Sequence, residues 1–194
     1  MLGVLFITSC KEEIKELPIL GKKTIVDGQE THHKIPDWQY LNQDSVSITN
    51  KDLSDYIYVA DFFFRSCPSI CPKVMKEMKT IYSKYENDDR VRLVSFTLDP
   101  KRDTPEKLKT YASNLGVDDK KWWFIHTDDD IYDLAYQYFV TAYADDDAPG
   151  GFDHSGKLLL VDKKGHIRSF SEGTDPSETP KMISSIRSLL ASYE

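Results

Sequence analysis

Cysteine is scarce in this chain: three in 194 residues, and only two of them, Cys67 and Cys71, lie beyond the first ten positions. That rules out a disulfide framework, which needs many cysteines in a short chain. The count also argues against a cysteine-rich structural zinc site, which takes four protein ligands where no further free thiol is on hand. Positive charge is short as well: 25 Lys and Arg stand against 32 Asp and Glu, a formal charge of -7. Charge alone therefore does not draw the protein to nucleic acid or to an anionic lipid surface. No run comes near the ~20 apolar residues that cross a bilayer, so only the first ten positions are candidates for contact with lipid hydrocarbon. Repeats and low-complexity tracts are absent. What remains, 40% hydrophobic side chains in this length, is enough for one sizeable core and too little for two full domains.

The start of the chain, MLGVLFITSC, is apolar through Ile7, passes the small pair Thr8 and Ser9, and reaches Cys10, after which KEEIKE is abruptly polar. It resembles a bacterial lipoprotein signal, with Ile7-Thr8-Ser9-Cys10 as the lipobox. The resemblance implies cleavage before Cys10 and lipidation of its thiol. It departs from the pattern in being short and in carrying no Lys or Arg ahead of the apolar stretch. With Cys10 spoken for, Cys67 and Cys71 form a pair. Export places that pair on a bacterial membrane facing the periplasm, where disulfides persist. Residues 11–35 are polar, punctuated by Pro18, Gly21 and Gly28, and read as a stalk; the folded domain is expected over 36–194.

Within that domain the pattern alternates. YIYVADFFF (56–64) is a continuous apolar run suited to a strand covered on both faces. Val74, Met78, Ile81 and Tyr85 then recur at helical spacing with lysines between them. VRLVSFTL (91–98) is a second strand. The following helix is expected to start at Thr104 as N-cap with Pro105 behind it and to stop at Gly116. WWFIH (122–126) is a third strand, and Ile131, Leu134, Ala135, Tyr138 and Phe139 form another helical stripe. KLLLVD, a KKGH turn and IRSF make a hairpin, and Thr179-Pro180 opens a last helix. The fold class expected is α/β, a three-layer sandwich with a mainly parallel sheet and an antiparallel hairpin at one end.

RSCPSICPK (65–73) puts both thiols at the carboxyl end of the first long strand, where ligands gather in such sheets. A helix beginning at Cys71-Pro72 favours thiolate through its free N-H groups and partial positive charge. Thiolate is the form that attacks disulfides and the form that binds metal, and a four-residue step permits either use. Two thiolates with one imidazole suit Cu(I), a soft ion content with three ligands. Of the histidines, His166 sits in an exposed turn and His32 and His33 in the stalk. Periodicity ranks His126 and His154 nearly level, the latter at the end of an irregular stretch from about Thr141.

DFFFRSCPSICP, FTLDPKRDTPE and DHSGKLLLVD, in that order, resemble the SCO/SenC proteins, from about Ile35 to Ser192. Those are membrane-tethered, thioredoxin-like copper proteins of cytochrome c oxidase assembly. The resemblance implies a thioredoxin-like fold, copper as Cu(I) or Cu(II) on Cys67, Cys71 and His154, and a copper-centre oxidase subunit as partner, with a copper donor or thiol reductant beside it. The DHS match selects His154. Asp99 and Asp103 match the aspartates of the DPxRDT motif; Asp103 fits a helix-capping role, and Asp99 reads equally as structural or functional. Asp61, six residues ahead of Cys67, is expected to modulate the thiol pKa values. A second use of the same cysteines, thiol-disulfide exchange without metal, fits the motif too.

Overall fold

The apolar run at 56–64 becomes a strand, Ile57–Phe63, in which all seven residues are buried, and the rest of the computed structural model is arranged about it. The structure describes residues 16–128, 130–145 and 147–194; the lipidation expected at Cys10 lies outside them. In chain order the strands are β1 (Lys23–Val26), β2 (Gln29–His32), β3 (Gln39–Asn42), β4 (Ser47–Thr49), β5 (Ile57–Phe63), β6 (Val91–Thr97), β7 (Trp122–His126), β8 (Ala142–Ala144), β9 (Phe152–His154), β10 (Lys157–Val161) and β11 (Ile167–Glu172). The helices are α1 (Cys71–Tyr85), α2 (Pro105–Leu115), α3 (Ile131–Gln137) and α4 (Thr179–Ala191).

Seven strands make the main sheet, in the order β11-β10-β5-β6-β7-β3-β4. Only β5, β6 and β7 run parallel. The hairpin β10–β11 joins antiparallel on one side, as expected. On the other side β3 and β4 add an antiparallel pair, so the sheet is mixed rather than mainly parallel. These two strands are four and three residues long, and β3 alternates exposed and buried positions, too brief a pattern to stand out in sequence.

The two faces of β5 divide the core. On one, Phe62 stacks on Phe96 at 5.2 Å and meets Tyr138, at the end of α3, at 5.4 Å, while Trp38 closes edge-on over Phe96. On the other, Phe63 lies against Tyr111 of α2, and Tyr82 of α1 against Trp122; α4 packs beside α1 on this side. The helices start and stop for local reasons. Thr104 is the extended N-cap of α2, Pro105 follows it, and Gly116 ends the helix at φ 63° in the left-handed region, which glycine enters at least cost. In the α3 stripe Phe139 does not join the core: it is 37% exposed, because its own φ of 60° turns the chain out of the helix.

Residues 16–35 are less detached than the expected stalk. β1 and β2 pair as an antiparallel hairpin. The stretch before it is fastened to β11, with Leu20 N-H donating to the Ile167 carbonyl at 2.8 Å and the Arg168 guanidinium to the Pro18 carbonyl. His33 Nε2 meets the Gln137 carbonyl, and the His33 carbonyl meets His166 Nδ1, so His166 is part-buried rather than solvent-exposed. Bonds to main-chain carbonyls carry this attachment, which a polar stretch without periodicity does not announce.

Candidate metal centre

Strand β5 runs out at Phe63, and the chain turns through Arg65 and Cys67 into α1, whose first residue is Cys71 with Pro72 second. Proline suits the first turn because its missing N-H has no helical partner there. The Cys71 N-H instead donates to Cys67 Sγ at 3.5 Å, and Ser69 Oγ lies 3.6 Å from the same sulfur. Both cysteines are free thiols and buried.

The third member arrives from far along the chain. β8 and β9 pair as a ribbon, with Ala142 opposite His154 and Ala144 opposite Phe152, in the stretch expected to be irregular. Ser155 N-H donates to the Thr141 carbonyl and closes the ribbon base. The ribbon lays Phe152 on Phe64 at 5.0 Å and His154 edge-on to the same ring at 5.6 Å. His154 Nε2 comes to 3.5 Å from Cys71 Sγ. Ligand atoms of Cys67, Cys71 and His154 all lie within 4.8 Å of one another, the one group of three or more His, Cys, Asp or Glu so disposed among the described residues. His126, its rival in sequence, is satisfied elsewhere, with Nδ1 2.9 Å from the Asp103 carbonyl.

The protonation states fit metal capture. The Ser155 carbonyl, 3.3 Å from His154 Nδ1, can only accept, so it selects the tautomer with its proton on Nδ1 and leaves the Nε2 lone pair facing the sulfurs. Burial lowers the His154 pKa and keeps the ring neutral. The two thiols diverge. Burial raises Cys67, but hydrogen bonds from Cys71 and Ser69 outweigh it and leave its pKa below the ordinary value. Cys71 goes well above, chiefly through burial, with the neighbouring Cys67 and Asp61 charges adding to the rise. The helix start expected to favour thiolate does so at Cys67, which accepts the Cys71 N-H, and is overcome by desolvation at Cys71, so Cys67 is the readier anion.

The three aspartates take different places. Asp61 is fully buried on the α1 face of β5; Ser95 Oγ donates to its Oδ1, Trp122 Nε1 donates to Ser95, and Oδ2 has no partner. Burial pushes its pKa up to about 7, against the Ser95 hydrogen bond. Asp103 does not cap α2. Its carboxylate accepts from Arg65 N at 3.0 Å, Arg65 Nε at 3.0 Å and Thr97 Oγ1 at 2.8 Å, so it fixes the start of the cysteine loop. Asp99 is ion-paired with Arg102, whose Nη2 donates to the Gly150 carbonyl at 2.8 Å. Sequence reasoning passed over Arg65, Arg102 and Gly150; the only signal available was that both arginines lie inside the matched motifs.

A thioredoxin-like domain with two cysteines and one histidine gathered at the carboxyl end of its sheet is the class these features define. The SCO1/SenC family model matches residues 26–191, and the chain belongs to that family. It is 26% identical over 161 residues to the SCO1 protein homolog of Bacillus subtilis, covering 81% of this chain and 83% of that one. Among solved structures it is similar to BsSco, described as a member of the Sco family of cytochrome c oxidase assembly proteins with a disulfide switch: TM-score 0.69, 26% identity, 81% of this chain and 93% of that one. It shares its fold with ScoI of Arabidopsis thaliana, solved with copper bound, at TM-score 0.65, 24% identity and 78% and 97% coverage.

Proposed function

We propose that this protein carries copper on Cys67, Cys71 and His154 and delivers it to the copper-centre subunit of a cytochrome c oxidase. The observation that carries this reading is the convergence of two sulfurs and a neutral imidazole within 4.8 Å, all three buried. Thiolates are soft ligands and imidazole is borderline, a set that suits Cu(I) and excludes Mg²⁺ or Ca²⁺. Copper is cargo here: a partner offering its own cysteine and histidine ligands takes the ion by stepwise exchange, and the protein is left as the dithiol. We place the domain outside the cell's cytosol, held to a bacterial membrane by lipid on Cys10, on the strength of the lipobox-like residues 7–10; a Cys10→Ala chain that still incorporates labelled fatty acid would rule out that anchor.

Anaerobic Cu(I) titration tests the main reading. His154→Ala is expected to weaken Cu(I) binding about a hundredfold while leaving the protein able to form and open the Cys67–Cys71 disulfide. An unchanged affinity overturns the role of His154.

The split between the thiols favours a second use. Cys67, the readier anion, attacks a disulfide in the target and forms a mixed disulfide as one target thiolate leaves. Cys71, once deprotonated, then attacks the Cys67 sulfur, releasing the second target thiolate and leaving a Cys67–Cys71 disulfide. The target gains two electrons and the protein loses two, so an external thiol reductant must restore the pair. The description of BsSco as having a disulfide switch supports a cysteine pair that opens and closes. Copper delivery and this reduction fit one sequence, in which the target's cysteines are opened before they receive the ion.

A further inference from the structure

The segment from the end of β6 to the start of α2, residues 97–104, touches both halves of the site and supplies neither a thiol nor the imidazole. We propose that it is a two-armed positioning device, which sets the cysteine loop with one arm and the histidine ribbon with the other, and that Arg102 and Asp103 are positioning residues for metal capture. The inference rests on the copper reading for its purpose and on hydrogen bonds for its geometry.

The first arm is Asp103. It is 1% exposed, and its two oxygens take the backbone N-H and the Nε of Arg65, two residues before Cys67. Thr97 Oγ1 completes its shell. Bidentate attachment of one residue through both main chain and side chain fixes position and direction together.

The second arm is Asp99 with Arg102. Asp99 is 3% exposed, and its Oδ1 also accepts the Arg102 backbone N-H at 3.3 Å. Anchored there, the guanidinium reaches the Gly150 carbonyl at 2.8 Å and stands over the Phe152 ring at 5.6 Å. Phe152 opens the strand that ends in His154, and Gly150 lies two residues before it in the turn that joins the ribbon's strands. A Cβ on Gly150 would stand 2.6 Å from Phe64 Cε2, so the ribbon reaches the end of β5 at backbone distance. The same face carries a cavity of about 640 Å³ between the two loops, lined by Asp99, Arg102, Tyr132, Gly150 and Phe152 among others. The clamp spans this gap, and the ribbon has room to move when it is released.

The arms separate the two functions of the site. Loosening the Arg102 arm frees His154 and spares the thiols; loosening the Asp103 arm disturbs the thiols and spares the ribbon. The experiment measures three quantities on the reduced full domain and its variants: Cu(I) affinity by competition with a chelator, the reduction potential of the Cys67–Cys71 pair, and amide hydrogen exchange across residues 150–155. Arg102→Gln is expected to weaken Cu(I) binding about tenfold, the worth of one charge-assisted hydrogen bond, and to speed exchange at 150–155, with the potential unmoved. Asp99→Asn combined with Arg102→Gln removes the buried charge that the single change strands, and gives the same result if Arg102→Gln alone folds poorly. Asp103→Asn is expected to move the potential and leave exchange at 150–155 as it was. Exchange unchanged in both Arg102 variants overturns the proposal, and so does a potential that shifts as much with Arg102→Gln as with Asp103→Asn. Were the unmodified domain to bind no Cu(I), the copper reading would fail, and the exchange and potential measurements would still decide whether the arms exist.

Discussion

The two halves of the candidate site are built to different standards. Cys67 and Cys71 hang from β5, every residue of which is buried, and from a helix of 15 residues that packs on α4. His154 comes from a ribbon of two three-residue strands in which it is the one buried residue. Opening the first half means dismantling the core; opening the second means releasing one guanidinium and the contacts of Phe152 and His154 with Phe64. Local opening free energies follow such differences in burial. A carrier that must hold an ion and then surrender it is served by a fixed pair of sulfurs and a removable third ligand.

The largest effect that checks this contrast belongs to the core half. Phe96 is fully buried and touches Phe62, Trp38 and Tyr138. Phe96→Ala is expected to cost about 3–5 kcal/mol in denaturant unfolding, a large share of the about 5–15 kcal/mol typical of a folded domain. Exchange in residues 142–154, which proceeds by local opening, should rise far less than exchange in β5 and β6. Equal acceleration in the two regions would mean that the ribbon opens only with the whole domain, and the contrast would be lost.

How much of this was legible beforehand depends on whether a feature leaves a periodic trace. The start and stop of α2 were readable because Thr104, Pro105 and Gly116 each act on the backbone within one turn. Strand β5 was readable because burial on both faces removes every polar residue but Asp61. The ribbon was not: AYADDDAPGGFDH has no alternating apolar face, since backbone pairing forms it and, among its described residues, only the last, His154, is buried. Nor were the arms, because Arg65–Asp103 and Arg102–Gly150 join positions 38 and 48 apart, and a polar contact across two loops has no period to detect. The split between the two thiols is hidden for a related reason: the helix start that favours thiolate is local and visible in sequence, whereas the burial that raises Cys71 is assembled from distant segments.

Asp61 sharpens the comparison through pH. Its carboxyl is pushed up to about 7 by burial, against about 3.9 in the unfolded chain. A raised carboxyl pKa makes the folded state bind the extra proton between these values, so the group costs nothing below about pH 4 and progressively more as pH rises through 7. The full cost is about 4 kcal/mol above that pH. Asp61→Asn removes this dependence, so the stability difference between the two proteins should grow in the variant's favour from pH 4 to pH 8 and then level. A difference independent of pH would show that Asp61 ionises freely in the folded protein. Because the Asp61 charge also contributes to the raised Cys71 pKa, the variant should bring the Cys71 titration down; an unchanged thiol curve would remove Asp61 from the chemistry of the pair.

The smallest effect on global stability is expected in the ribbon itself. Gly150 adopts φ 88°, where an L side chain is strained, and a methyl group there would meet Phe64 at 2.6 Å. In the core such a combination costs about 1–3 kcal/mol for each source of strain. In the ribbon the cost has a ceiling, because the segment escapes the clash by lifting from Phe64, so the domain loses no more than the free energy that docks the ribbon. Gly150→Ala should therefore lower the unfolding free energy by about 1 kcal/mol or less. It should still speed exchange at 150–155 and weaken Cu(I) binding, since an undocked His154 must be re-docked at every capture. A midpoint loss as large as that of Phe96→Ala would mean that ribbon and core form one cooperative unit, and the imidazole would then be as fixed as the sulfurs.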